Sequence, residues 1–161
     1  MTTKPEQLLE IARSRGVLIA TAESCTAGMI SAAITDIAGS SDIFDRGFVT
    51  YSNDAKIRML SVSPKTLEDF GAVSEEIAKE MAMGALEKSS ANLAISVTGI
   101  AGPGGSEFKP EGRVCFGVAL KYEPPRTETV EFGAIGRANV RQKSVDHALS
   151  LLLHAISKSG V

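Results

Sequence analysis

The chain has 161 residues, 43% hydrophobic and 22% charged, with a formal net charge of -2. That length suits one domain, taken here as residues 1–161, large enough to bury most of the surface its unfolded form exposes. A pI near 5.7 gives no reason to expect a nucleic-acid partner, and no window is apolar enough for a membrane span.

The N-terminus, Met1 to Glu6, lacks the apolar core of an export signal, so a cytoplasmic location is expected. In that reducing compartment Cys25 and Cys115 are read as free thiols. Residues 5 to 14 read as a helix with an apolar stripe, Leu8, Leu9 and Ile11-Ala12, that Gly16 ends. Val17 to Thr21 is a continuous apolar run, the pattern of a strand buried on both faces. A helix over 26–37 follows and ends at Gly39-Ser40-Ser41. Gly47 to Tyr51 reads as the second strand, and Ser52-Asn53-Asp54 as the N-cap cluster of a helix from Ala55 to Leu60. Pro64 opens a helical turn that stops at Gly71, and Ser74 starts a longer helix to about Lys88. Leu93 to Val97 is the third strand. It runs into Thr98-Gly-Ile-Ala-Gly-Pro-Gly-Gly105, the most turn-rich segment of the chain. Arg113 to Tyr122 and Thr127 to Phe132 read as an antiparallel pair joined through Pro124-Pro125. A last helix follows Gly136 to about Lys158, and the first few residues and Gly160-Val161 are expected to fray. This order predicts an α/β fold, a three-layer α/β/α sandwich around a mixed, mostly parallel sheet.

The segment Thr21-Ala-Glu-Ser-Cys-Thr-Ala-Gly28 carries the strongest chemical signal. A strand that breaks into a polar turn before a helix leaves backbone N–H groups without intrahelical partners, fit to hold an anion or oxyanion. Ser24 is the first candidate nucleophile, with a plain helix cap as its alternative. Cys25 competes, activated if it lies at a helix N-terminus and inert if it is buried. The only histidines, His147 and His154, lie two turns apart on the last helix among leucines and alanines, which disfavours a Ser–His–Asp triad. Tyr51 and Lys56 are better partners, since a lysine in the first turn of a partly buried helix is pushed toward its neutral form. Thr98 opens a loop whose small residues, Gly99 and Gly102 among them, let N–H groups approach an anion. No Gly-Lys-Ser/Thr follows, so a nucleoside triphosphatase is disfavoured. Arg137 and Arg141 share a face at the start of the final helix, where cations are unfavourable unless an anion such as phosphate lies between them and the helix.

Together these segments resemble the CinA C-terminal-domain family, the nicotinamide-nucleotide amidohydrolases. The likeness runs through residues 21–28, Phe48-Val-Thr-Tyr-Ser-Asn-Asp-Ala-Lys56, Gly71-Ala-Val-Ser74, the loop 98–105, Lys109-Pro110 and Arg137-x-x-x-Arg141. Ala27 stands where the family usually has a second glycine, and the loop Gly102-Pro103-Gly104-Gly105 looks one residue shorter than is common. The resemblance implies hydrolysis of the amide of nicotinamide mononucleotide to nicotinic acid mononucleotide and ammonia, with no metal and no cofactor. It implies Ser24 as nucleophile, activated by Tyr51 and Lys56, with Thr98 and Arg137 completing the site. The N–H groups of Cys25 and Thr26 would serve the tetrahedral oxyanion, and Arg137, Arg141 and the small-residue loop the substrate's phosphate. The family also implies a homodimer. The rival reading is a non-catalytic nucleotide-binding or competence-associated interaction module.

Overall fold

A computed structural model describes residues 1–106 and 108–158; the expected fraying of Gly160-Val161 lies outside them. At the other end Thr3 is ordered into a capping box with Glu6, which starts α1 (Lys4–Arg15). Gly16, at φ 65°, closes that helix. The chain continues through β1 (Ile19–Glu23), α2 (Met29–Thr35), β2 (Phe44–Val49), α3 (Asn53–Leu60), α4 (Pro64–Phe70) and α5 (Glu75–Glu87). It ends with β3 (Leu93–Gly99), β4 (Arg113–Leu120), β5 (Arg126–Glu131) and α6 (Arg137–Lys158).

The five strands form one sheet in the order β2-β1-β3-β4-β5. β1 runs parallel to both β2 and β3, and β4 is antiparallel to both of its neighbours, so four strands share one direction. Large side chains of β1, β3 and β4 (Ile19, Leu93, Ile95, Val97, Phe116) face α1, α2 and α6 in one core. The other face is paved with small residues, Ala20, Ala22 and Ala94, against Ile77, Met81 and Ala85 of α5 and Leu60 of α3. The three-layer sandwich follows from that alternation.

Several boundaries move. β1 begins two residues later than expected, because Val17 is tied back to α1 by its N–H on the Ala12 carbonyl (2.8 Å). It also extends through Glu23, which the polarity of Thr21 and Glu23 disguised although both are fully buried. β2 starts earlier, at Phe44, since Asp45 and Arg46 pair with each other on an edge strand and read as a loop. α2 is shorter than 26–37, because Ala27 (φ 45°) and Gly28 (φ 97°) both take left-handed conformations before it.

The small-residue face lets α5 sit close, and α3 in turn sits close on α5. A Cβ at Gly84 would stand 2.1 Å from the Leu60 carbonyl oxygen. Gly84→Ala should therefore destabilise by about 1–3 kcal/mol, against the gain that alanine normally brings to a helix interior. A raised melting temperature in calorimetry would refute that contact.

Candidate active site

β1, β2 and β3 end at one rim, where ligands enter open α/β sheets. Register places Glu23 beside Val49 and Val97. The ladder runs one step further: the Thr50 N–H donates to the Glu23 carbonyl and the Ser24 N–H to the Val97 carbonyl, both at 2.9 Å. Ser24 is thus fixed by the sheet at the point where the strand stops. It opens, with Cys25, Lys56, Thr98, Gly102 and Arg137, onto a cleft of about 370 Å³.

Ser52 caps α3 by accepting the Ala55 N–H at 3.0 Å, which sets Lys56 in the first turn. The Lys56 side chain is sealed, with 1% of the residue exposed. Its Nζ lies 2.9 Å from Ser24 Oγ, 2.9 Å from the Thr50 carbonyl and 3.2 Å from the Tyr51 carbonyl. Burial lowers its pKa from 10.5 to about 8. Lys56 donates to Ser24 Oγ, whose hydroxyl has the Tyr51 carbonyl at 3.5 Å; in its neutral form the amine can give its two N–H groups to the two carbonyls, leaving its lone pair for the serine hydroxyl. That is the geometry of a base beside a nucleophile.

Cys25 is the poorer nucleophile. Its thiol is buried, and burial pushes its pKa up to about 11, which keeps it protonated at neutral pH. The Cys25 N–H meets only its own thiol, on a residue that lines the cleft. Thr26, expected to offer a second donor, is fully buried and outside the lining, with its hydroxyl turned inward to donate to Glu23 Oε1 at 2.7 Å. Tyr51 reaches Lys56 through its carbonyl. Its phenol, on a residue 59% exposed, accepts from Arg137 at 3.1 Å and makes no bond to Ser24 or Lys56.

Arg137 opens α6 and also donates to the Gly102 carbonyl at 2.6 Å, which ties the glycine-rich loop to the cleft's mouth. Arg141 does not line the cleft. It lies behind the turn, with Nε donating to the Cys25 carbonyl at 3.0 Å, so the expected pair of anion-binding arginines divides between front and back. Thr98 donates its hydroxyl to the Ala72 carbonyl (2.8 Å), and Gly99 ends β3 on the cleft's wall. His147 contacts Glu128 and packs on Phe116, and neither histidine lines the cleft.

Several contributors escaped the sequence reading. Asn53 and Ser106 line the cleft, and Lys109 clamps one wall by donating to the Phe70 and Val73 carbonyls, both at 2.6 Å. Glu23, inside the motif, received no role although a carboxylate at the end of an apolar strand was a usable signal. With Ser74 Oγ on the Gly71 carbonyl, every carbonyl from 70 to 73 is taken, while the Ala72 and Val73 N–H groups have no partner among the described residues. Lys56 and Arg137 are in the lining, and no Asp or Glu is among its described residues. The cleft favours an acceptor-rich, anionic ligand.

Residues 1–156 match the family model of the CinA C-terminal domain. The chain belongs to that family. It is 48% identical over 148 residues to the nicotinamide-nucleotide amidohydrolase PncC of Escherichia coli K12, covering 91% of this chain and 89% of that protein. It is 60% identical over 115 residues to a CinA-like protein of Chloroherpeton thalassium, covering 71% of this chain. The chain spans only 27% of that relative's length, and 37% of a longer relative from Caldicellulosiruptor saccharolyticus. Among solved structures, the competence/damage inducible protein CihA of Agrobacterium tumefaciens superposes with a TM-score of 0.87 at 45% identity, over 98% of this chain and all of that one. A competence or damage-inducible protein of Enterobacter asburiae gives 0.91 at 35%, over 97% and 99%.

Ala27 holds the left-handed conformation that glycine adopts freely, at a cost of about 1–2 kcal/mol for a side-chain-bearing residue. Ala27→Gly should raise the melting temperature by roughly 1–4 °C, after glycine's larger loss of chain entropy is set against the relief. A fall would mean the turn is unstrained.

Proposed function

We propose that the chain hydrolyses the carboxamide of nicotinamide mononucleotide to the carboxylate and ammonia, through an acyl-enzyme on Ser24. The observation that carries this reading is the Lys56 amine, 2.9 Å from Ser24 Oγ with its two other contacts on carbonyl oxygens. Neutral Lys56 takes the hydroxyl proton as Oγ attacks the amide carbon. The tetrahedral oxyanion is received by the Cys25 N–H, the backbone donor just after Ser24 whose residue lines the cleft. Lys56 then returns the proton to the leaving nitrogen, which departs as ammonia, and water, deprotonated by the same amine, releases the acid and restores Ser24.

The name of the E. coli relative supplies the substrate, and the cleft is compatible with it. A volume of about 370 Å³ lies in the range of small-molecule sites. Arg137 and the N–H groups of Ala101, Gly102 and Gly105, which have no partner among the described residues, would take the phosphate at the mouth, leaving the amide to the buried end. Binding at that remote charge positions the amide for attack.

Ammonia release from the mononucleotide tests the mechanism. Ser24→Ala and Lys56→Met should each lose at least about a thousandfold in kcat, and Cys25→Ala should stay within about threefold. Undiminished turnover by Ser24→Ala overturns the assignment. Because the lysine must be neutral to act and its pKa is about 8, kcat/KM should climb as pH rises from 6 and level off above about 8. Saturable mononucleotide binding by wild type with no ammonia after prolonged incubation would favour the interaction module instead.

A further inference from the structure

We propose that Glu23 and Arg141 are positioning residues that hold the nucleophilic turn from behind and so keep Ser24 and the Cys25 N–H in place at the cleft. The inference rests on the Ser24 reading above and assigns to two residues outside the cleft the work of orienting it.

Glu23 is fully buried, and a carboxylate in that position must have its oxygens satisfied. It accepts four hydrogen bonds. Oε1 takes the Thr26 hydroxyl at 2.7 Å and the Ile30 N–H at 2.9 Å; Oε2 takes the Ser31 N–H at 3.0 Å and the Ser31 hydroxyl at 2.7 Å. Ser31 Oγ is in turn 2.7 Å from Thr21 Oγ1, which extends the chain of hydroxyls back into the strand. The N-cap of α2, Gly28, has no side chain with which to bond the helix's first N–H groups, and Glu23 does this from the preceding strand. One side chain thus joins the end of β1, the middle of the turn and the start of α2. The turn needs such a tie, because Ala27 and Gly28 are both left-handed and nothing in the local sequence favours two such residues in succession.

Arg141 works on the adjacent peptide. Its Nε donates to the Cys25 carbonyl at 3.0 Å. In a planar trans peptide the carbonyl of residue 25 and the N–H of residue 26 point in opposite directions. Holding the Cys25 oxygen toward Arg141 therefore turns the Thr26 N–H away from it, while the Thr26 hydroxyl is fastened to Glu23. The two contacts fix both ends of Thr26, two residues after Ser24, and with it the peptide that follows Cys25. Neither side chain lines the cleft, so neither touches substrate.

The brace acts on the transition state and not on substrate binding, and that separates it from a general loss of structure. Glu23→Gln places an NH₂ against either the Ile30 or the Ser31 N–H whichever way the amide turns, so one donor is always opposed. Arg141→Met removes the tie to Cys25 at a partly buried position and leaves the core untouched. Each variant, checked for native circular dichroism, should lose about 10- to 100-fold in kcat with KM for the mononucleotide within about twofold, and Arg141→Lys should recover part of the loss. The inflection near pH 8 should persist in both, since Lys56 is unaltered.

Ser24→Ala is measured alongside. If it is inactive while Glu23→Gln and Arg141→Met keep wild-type kcat, or lose activity through KM alone, the brace is refuted and the nucleophile stands. If Ser24→Ala is active, the underlying mechanism fails first. Should Glu23→Gln not fold, the Arg141 variants decide the question.

Discussion

A lysine amine enclosed by protein and offered only carbonyl and hydroxyl oxygens is the constraint around which this molecule is arranged. An ammonium in that position has lost its water without gaining a carboxylate, so the charged form is penalised and the pKa falls to about 8. The carbonyls of Thr50 and Tyr51 then direct the amine, leaving one tetrahedral position for Ser24. In the proposed mechanism a hydroxyl meets its base without an imidazole, and enclosure performs the task that a histidine's ordinary pKa performs elsewhere.

The layers supply the enclosure. Alanines on one face of the sheet admit α5 closely, Gly84 admits the backbone of α3, and α3 carries Lys56 down to the rim. From the opposite side, α6 contributes Arg137 at the mouth and Arg141 behind the turn, one helical turn apart on the same helix. The site is therefore assembled from both helical layers across the ends of three parallel strands, which explains why its parts are scattered over more than a hundred residues of sequence.

The polarity of the cleft is a backbone property as much as a side-chain one. Thr98, Ser74 and Lys109 spend their donors on the carbonyls of residues 70 to 73, so that wall keeps only N–H groups to offer. Among the described residues the glycine-rich loop has N–H groups without partners as well. A site with donors on several sides, a guanidinium at its mouth and a lysine amine at its buried end suits a ligand with a carbonyl at one end and an anion at the other.

The sequence by itself determined the layered architecture, because helical stripes, apolar runs and turn residues are local patterns whose order implies helices on both faces of a sheet. It also singled out Ser24, Lys56, Thr98 and Arg137, each beside a strand end or a cap that marks the rim. It misread β2, whose Asp45-Arg46 pair looks like a loop until the edge of a sheet accounts for it, and the limits of α2, which two left-handed residues delay. Tertiary structure alone favours Ser24 over Cys25 in the proposed mechanism, since the approach of a lysine 32 residues away and the depth of the thiol's burial have no trace in local spacing. It likewise moved Tyr51's contribution from phenol to carbonyl, drew Arg141 behind the turn and gave Glu23 its four donors. Composition and periodicity report which surfaces are buried; which polar atom meets which is settled only when strands in register and helices on both faces bring distant segments to one point.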